Sequence, residues 1–138
     1  MALTGVSTSI AKSPNAVEVW KGQTKDLELT ITHEVEENGE KVERPFPLAT
    51  VIVYCQVKSK AGDDIALISK SSEDSDQIEI LTPDTDGKAM IHIVPDDTRL
   101  LQTDTYVFDV WVQLLSGKQY PVVEVSEFRI KDPVTRIP

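Results

Sequence analysis

The residue types best suited to act as a nucleophile or a general base are scarce in this chain, which has two histidines and one cysteine in 138 residues. A hydrolase triad needs a nucleophile, a base and a group that orients the base. His92 lies in MIHIV, on the strand side that it shares with Met90 and Val94. His33 lies at a strand end, next to acidic residues. Both patterns favour ordinary strand residues, so we predict no catalytic residue and no enzymatic activity.

Metal binding would require several ligands at a suitable spacing. Cys55 has no cysteine partner for zinc, and its apolar surroundings are typical of a small buried hydrophobic residue. The segment DTDG, with Asp84 and Asp86, matches the start of a calcium-binding EF-hand loop, and Asp96 and Asp97 follow it. It lacks the later ligands and the closing glutamate. We predict turn-forming aspartates, no metal and no cofactor, with a structural calcium ion as the alternative.

Aromatic residues beside polar ones supply the remaining candidate chemistry. Trp111 lies between Asp109 and Gln113 on the side of a strand where polar residues are expected. Exposed aromatic residues pack under loops, form protein interfaces or stack against sugars, and all three interpretations stay open here. The residues considered for a sugar-stacking platform are Trp111, Trp20, Tyr54 and Tyr120. The interface candidates are Trp111, Asp109, Gln113, Trp20, Tyr120 and Arg136.

Bulk properties exclude several classes of protein. The formal net charge of −9 argues against binding to nucleic acid or to an anionic membrane, because both require a basic surface. A single cysteine excludes an intramolecular disulfide. No apolar run approaches the ~20 residues of a membrane span. The start, MALTGVSTSIAK, lacks the basic and apolar regions of a signal peptide, so we expect a soluble product made in the cytoplasm.

The elements that would position these residues are strands separated by turn signals. Alternation of apolar and polar residues, or enrichment in β-branched residues, predicts strands. The predicted strands cover residues 16–20, 26–32, 50–60, 65–70, 77–81, 88–94, 105–114 and 120–130. The residues predicted to face the core from the strand at 105–114 are Tyr106, Phe108, Val110, Val112 and Leu114.

Two segments depart from this regular pattern of strands and turns. Asn38-Gly39 is a strong hairpin signal, so residues 33–47 form either a protruding β-hairpin or a long loop. In the last strand, the inward residues Val123 and Val125 are followed by Phe128 and Ile130, which have the opposite parity. This switch predicts a β-bulge near Ser126.

The segment PDDTRLL, residues 95–101, interrupts the β pattern, because its proline cannot donate a hydrogen bond to a neighbouring strand. We predict one helical turn that is capped by Asp96 or Asp97 and that directs Leu100 and Leu101 into the core. Seven or eight strands at this spacing form a sandwich or a barrel, and the dry aliphatic inner faces favour the sandwich.

The order of segments also resembles a known family. The turn DTDG precedes the strand KAMIHIV, then PDDTRLL, the alternating TYVFDVWV and a final strand ending in FRIKDPVTR. In the first half, GQTKDLELTIT and PFPLATVIVYCQVKSKAG fit the early strands. Over about residues 16–136 the chain resembles the N-terminal immunoglobulin-like domain of phage baseplate upper proteins and similar small phage tail or neck proteins. Thr103-Asp104-Thr105 departs from the family pattern, which has a glycine before the tyrosine.

The resemblance implies an all-β, immunoglobulin-like antiparallel β-sandwich of seven to eight strands. We expect a flexible N-terminal arm at 1–15, the sandwich at 16–131 and a C-terminal tail at 132–138. The implied function is that of a non-enzymatic structural protein of the phage tail, baseplate or neck, located in the virion. Its partners would be other virion structural proteins, with homo-oligomers as a further expectation. The alternatives are a capsid decoration protein and a module that binds carbohydrate or the host surface.

Overall fold

The computed structural model describes residues 7–8 and 16–137, with side-chain detail for 16–137. The predicted N-terminal arm, 1–15, lies outside the described residues except for Ser7–Thr8. This pair forms a short strand, β1, that is antiparallel to Ile31 and Thr32.

Two five-stranded sheets pack face to face. The first contains β1 (Ser7–Thr8), β3 (Lys25–Glu37), β8 (Lys88–Ile93) and β7 (Ile78–Ile80), in that order, with β4 (Glu40–Pro45) paired to the far half of β3. The second contains, also in spatial order, β2 (Val17–Trp20), β10 (Gln119–Lys131), β9 (Asp104–Gln113), β5 (Ile52–Lys58) and β6 (Ile68–Ser71). Neighbouring strands are antiparallel, except that β2 runs parallel to the end of β10.

The predicted β-sandwich is confirmed, and its strand order is immunoglobulin-like. The described residues form ten strands rather than seven or eight, because the two-residue β1 and the hairpin strand β4 add to the sandwich strands. A tyrosine corner, which is typical of this fold, is also present. The Tyr106 hydroxyl, near the start of β9, donates a hydrogen bond of 2.7 Å to the backbone oxygen of Gln102.

The core lies between the sheets and is built from the inward half of each alternating strand. On β9, Tyr106, Phe108, Val110 and Val112 are buried as predicted, and Leu114 is half-buried. The inward residues of the other strands complete one continuous cluster; they include Val19, Leu29, Ile31, Val53, Val57, Ile78, Ile91, Ile93, Phe128 and Ile130. Because the inward side chains of both sheets meet in this cluster, one layer of mainly aliphatic side chains holds the two sheets together.

The strand β10 contains two irregularities instead of one. Its register with β9 shifts between Pro121 and Val123 and again between Val123 and Ser126. The second shift is the bulge predicted near Ser126. It falls at Glu124–Val125, which both oppose a single residue of β9, and this places Val125 on the outside. The prediction that Val125 faces the core is therefore wrong, because the extra residue of the bulge comes before it and reverses its direction.

The segment around Asn38-Gly39 is a β-hairpin. Strands β3 and β4 pair from Thr32–Pro45 to Glu37–Glu40. Asn38 and Gly39 have φ angles of 53° and 81°, as a type I′ turn requires. The far half of β3 therefore continues beyond β8 as a protruding two-stranded arm.

The break at residues 95–101 contains one helical turn, α1 (Pro95–Arg99). The N-cap residue is Val94, so neither Asp96 nor Asp97 occupies the predicted N-cap position. Asp97 lies at the third helical position, where its carboxylate accepts the backbone N–H of Val94 at 2.8 Å. Leu100 is exposed, so its predicted core position is wrong, whereas Leu101 packs against the core. The helix ends too early to turn Leu100 inward, and its buried residue is Thr98.

A buried ion pair connects α1 to the edge of the second sheet. Lys70, on the inner side of β6, places its ammonium group 2.7 Å from the Asp97 carboxylate, and both side chains are largely shielded from water. The same carboxylate oxygen also accepts the Val94 N–H, so one aspartate both satisfies a backbone donor at the start of the helix and pairs with a buried lysine.

Candidate functional site

The outer face of β5 and β9 carries a groove that is centred on Trp111. Cross-strand pairing places Tyr54 directly opposite Trp111 and Gln56 opposite Asp109. The groove encloses about 380 Å³. The larger side chains that line it include Tyr54, Gln56, Lys58, Val107, Asp109, Trp111, Gln113 and Val125. We call this surface the Trp111 face.

The polar atoms of the aromatic residues are satisfied within the face itself. The Trp111 indole N–H donates to the Asp109 carboxylate at 3.0 Å, which is possible because residues two apart on a strand share one side. The Tyr54 hydroxyl lies 3.4 Å from the Gln113 amide oxygen. Trp111 nevertheless stays 39% exposed. A partner could therefore cover the ring without leaving its N–H unpaired.

The bulge in β10 adds an apolar residue to this face. Because Glu124 and Val125 both oppose Asp109, Val125 points outward and lines the groove that contains Trp111. The sequence signal for this was the change of parity after Val123. Alternation that continues from Val123 places Val125 inward, so the sequence pattern does not identify Val125 as a site residue.

Cys55 lies beneath the Trp111 face but does not take part in it. Its side chain points into the core, opposite Val110. Burial raises the pKa of the Cys55 thiol to about 12, and the nearby Asp109 carboxylate acts in the same direction. The thiol is therefore protonated near neutral pH, which agrees with its predicted role as a small buried residue rather than a nucleophile.

Trp20, a second predicted interface residue, lies at the opposite end of the same sheet. It pairs with Lys131 at the end of β10, where Ile130 is opposite Asp104. Trp111 is seven residues further along β9, a separation of roughly 24 Å. The Lys131 ammonium group lies 5.0 Å from the centre of the Trp20 ring. Trp20 therefore belongs to a different surface from Trp111.

The last two interface candidates, Tyr120 and Arg136, lie outside the Trp111 face. Tyr120 is opposite Val112 and packs, half-buried, against the core rather than on the Trp111 face. Arg136, in the C-terminal tail, lies 3.2 Å from Asp132 and lines a second groove together with Trp20. Of the six candidates, the structure brings Asp109, Trp111 and Gln113 together on the Trp111 face and Trp20 and Arg136 together at the second groove, whereas Tyr120 joins neither group.

Both histidines lie on strands, but His33 is inside β3 rather than at a strand end as predicted, because β3 continues to Glu37. His33 is buried, and its ring packs against Phe46 with 5.0 Å between the ring centres. His92 is partly exposed on the outer face of the first sheet, with Nδ1 at 2.7 Å from Asp26 and Nε2 at 3.3 Å from Glu79. The hydrogen bond to Asp26, aided by Glu79, raises the pKa of His92.

The aspartate-rich turn has a structural explanation. Asp84–Asp86 form a short 3₁₀ helix that ends at Gly87, whose φ of 70° lies in the left-handed region. A Cβ at Gly87 would overlap the carbonyl oxygen of Ile31, so only glycine fits. Among residues 7–8 and 16–137, no group of three or more His, Cys, Asp or Glu side chains is placed to hold a metal ion.

Comparisons with known proteins add little to this geometry. No family model matches the chain, and no curated protein matches it. Among solved structures, the chain is similar to murine CRIg, with 15% identity, a TM-score of 0.40 and coverage of 91% of this chain and 98% of that one. In the described part of the chain, no helix has the length and apolar character needed to cross a membrane.

Proposed function

We propose that this protein is a non-enzymatic structural component of a phage particle, in the tail, baseplate or neck, and that it acts by protein–protein assembly. The observation that carries the assembly role is the Trp111 face. It combines two aromatic rings, an outward valine and hydrogen-bonded polar groups on one side of a rigid sheet.

The composition of this face supports an interface. The centre of a protein interface is enriched in Trp and Tyr and depleted in charged groups, and hot-spot residues lie in its best-packed part. Here the centre is Trp111 with Tyr54, and the nearest carboxylate, Asp109, already accepts the indole N–H. Burial of Trp111 against a partner would gain the hydrophobic contribution of a large ring without leaving its donor unsatisfied.

The assignment to a phage particle is supported by the sequence resemblance over about residues 16–136. Under this proposal the partners are other virion structural proteins, and the protein is made in the host cytoplasm before it enters the virion. Decoration of the capsid is the alternative location, and it would use the same face.

The proposal is tested by following incorporation into particles. Trp111→Ala should fold normally but be lost from purified particles by at least about tenfold, the loss expected when a hot-spot residue is truncated. Leu100→Ala is the matched control, since Leu100 is an exposed apolar residue outside the groove. Mass spectrometry of purified particles and circular dichroism of the isolated variants give the readouts.

Two results would contradict the proposal. The first is a wild-type protein that is never found in particles. The second is a folded Trp111→Ala variant that enters particles as efficiently as Leu100→Ala does.

A sugar-binding module is the second candidate, because the Trp111 ring lies beside the groups that bind sugar hydroxyls. Asp109, Gln56 and Gln113 surround it. Glycan-array binding by the wild type that is lost in Trp111→Ala, together with normal particle incorporation of that variant, would favour this function.

A further inference from the structure

The second groove of the molecule lies next to Trp20 and is basic. It encloses about 600 Å³ between the turn at residues 21–24, helix α1 and the C-terminal tail. Its charged lining residues are Lys21, Arg99 and Arg136, and no Asp or Glu is among the described residues that line it. Trp20 contributes a ring that is 47% exposed. We call this surface the basic groove; it is unexpected in a chain of net charge −9.

Hydrogen bonds fix one wall of the basic groove, the turn at residues 21–24. The Lys21 N–H donates to the Lys131 carbonyl oxygen at 2.8 Å, which attaches the turn to the end of β10. The Gly22 N–H donates to the Thr98 hydroxyl at 2.9 Å, which attaches the same turn to α1. This wall of the groove is thus preformed, so a ligand would not have to order it.

The cations at this groove are available to a new partner. Arg99 and Arg136 pair with Asp96 and Asp132 at 3.1 and 3.2 Å. All four side chains are at least half exposed, and such exposed ion pairs contribute little free energy. Carboxylates from outside can therefore replace these local partners.

The opposite charge is concentrated on the protruding hairpin. Residues 34–44 contain five glutamates, one lysine and one arginine, a net charge of −3 from five negative and two positive groups. The type I′ turn fixes the tip, and Glu36, Glu37 and Glu40 surround it with exposed side chains. We call residues 34–44 the acidic hairpin.

The basic groove and the acidic hairpin lie at opposite ends of the molecule. Thr24 lines the groove, and β3 begins at the next residue and runs 13 residues to Glu37, beside the hairpin tip. At about 3.4 Å per residue this strand is roughly 40 Å long. The acidic hairpin therefore cannot reach the basic groove of its own chain, but it can reach that of another copy.

We propose that the acidic hairpin of one copy binds in the basic groove of a second copy, in a head-to-tail contact. The contact deepens the assembly function proposed above and rests on it. Glutamates at the tip would pair with Lys21, Arg99 and Arg136, while the hairpin backbone packs against Trp20. Two different surfaces meet in such a contact, so repetition forms a ring if the rotation closes and a filament if it does not.

The first test is self-association of the full chain, measured by sedimentation velocity from micromolar to millimolar protein. We expect oligomers that grow with concentration at about 0.05 M NaCl and dissociate at about 0.5 M NaCl, because salt screens exposed charges. A monomer at every concentration in low salt overturns the proposal, even if the protein binds an acidic segment of another protein.

Charge reversal then identifies the surfaces. Glu40→Lys places a cation on the hairpin tip, and Arg136→Glu places a carboxylate in the groove. Each variant should associate about tenfold or more weakly than the wild type, because like charges then meet. Asp64→Lys and Lys118→Glu are the matched controls, which make the same charge changes on exposed residues outside both surfaces.

Mixing the two variants gives the decisive result. The lysine on the Glu40→Lys hairpin complements the glutamate in the Arg136→Glu groove, and the two unchanged surfaces complement each other. An equimolar mixture should therefore recover most of the wild-type association. Failure of the mixture to recover, or an equal loss in the controls, overturns the head-to-tail contact.

Failure of this contact can be told apart from failure of the assembly function. If the protein never self-associates but Trp111→Ala still prevents particle incorporation, the assembly function stands and the head-to-tail contact is wrong. If particles never contain the protein, the assembly function itself fails.

Discussion

The two sheets have inner faces of the same chemistry, but their outer faces differ. On the first sheet, the outer residues of β3, β7 and β8 are mostly charged, and His92 lies between Asp26 and Glu79. On the second sheet, β5 and β9 place Tyr54 beside Trp111. On the first face the His92 imidazole pairs with carboxylates of the two neighbouring strands, whereas the part of the second face formed by β5 and β9 keeps an aromatic ring partly exposed.

This difference indicates where a partner can bind. A face of paired, hydrated charges must lose water from each ion when it is covered, and this desolvation offsets much of what the contact gains. On the Trp111 face, the indole N–H and the Tyr54 hydroxyl have partners within the face, and the Trp111 ring is partly exposed. The second sheet is therefore the better candidate for a buried interface, and the first sheet is the better candidate for a surface that responds to pH.

We expect the largest loss of stability from a substitution that breaks the buried ion pair between Lys70 and Asp97. Lys70→Ala would leave the Asp97 carboxylate largely buried without its cation, so the free energy of unfolding should fall by about 3–5 kcal/mol. Lys88→Ala, on the outer face of the first sheet, should change it by less than about 0.5 kcal/mol. Urea denaturation of both variants tests this. Similar losses in the two would contradict the importance of the buried pair.

Removal of a tyrosine hydroxyl should reduce stability by a smaller amount, and this loss should be greater in the core than on the Trp111 face. Tyr106→Phe removes the tyrosine-corner hydrogen bond at 2.7 Å, and we expect a loss of about 1 kcal/mol. Tyr54→Phe removes a hydroxyl whose contact with Gln113 is 3.4 Å long and near the surface, and it should cost less than about 0.5 kcal/mol. If Tyr54→Phe proves the more costly change in urea denaturation, the Trp111 face is part of the stabilising structure rather than an open surface.

The smallest effect is a dependence of stability on pH, and it arises from His92 on the outer face of the first sheet. Asp26 and Glu79 raise the pKa of His92 in the folded state above its unfolded value, which is about 6.5. The stabilisation is therefore fully present below pH about 6.5 and is lost as the pH rises through the folded-state pKa. Its size should be about 0.5 kcal/mol, typical of an exposed ion pair.

Comparison with His92→Gln isolates this contribution. Between pH about 5.5 and 8.5, the wild type should lose its advantage over His92→Gln as the pH rises. Parallel stability curves for the two proteins would show that the His92 cluster does not affect folding. Trp111→Ala should show the wild-type pH dependence, because it alters the other sheet.

The short-range pattern of residue types along the sequence predicted much of the fold. Alternation correctly placed Tyr106, Phe108, Val110 and Val112 inside, because successive side chains of a strand point to opposite faces. Asn38-Gly39 correctly indicated a turn, because its residues tolerate positive φ angles. The errors at Leu100 and Val125 occurred where a short helix or a bulge changes the direction of a side chain by one residue, and composition does not specify that position.

What the sequence by itself determined is therefore the alternation of the strands, the inward faces, the hairpin turn and the presence of Trp111 on an outer face. Only the tertiary structure decided which outer residues are neighbours. It joined Tyr54 to Trp111 across two strands 57 positions apart in the chain, separated Trp20 from both, and placed the acidic hairpin and the basic groove at opposite ends. The physical reason is that side-chain direction depends on local backbone geometry, whereas proximity between strands depends on sheet order and register, which arise from packing of the whole chain.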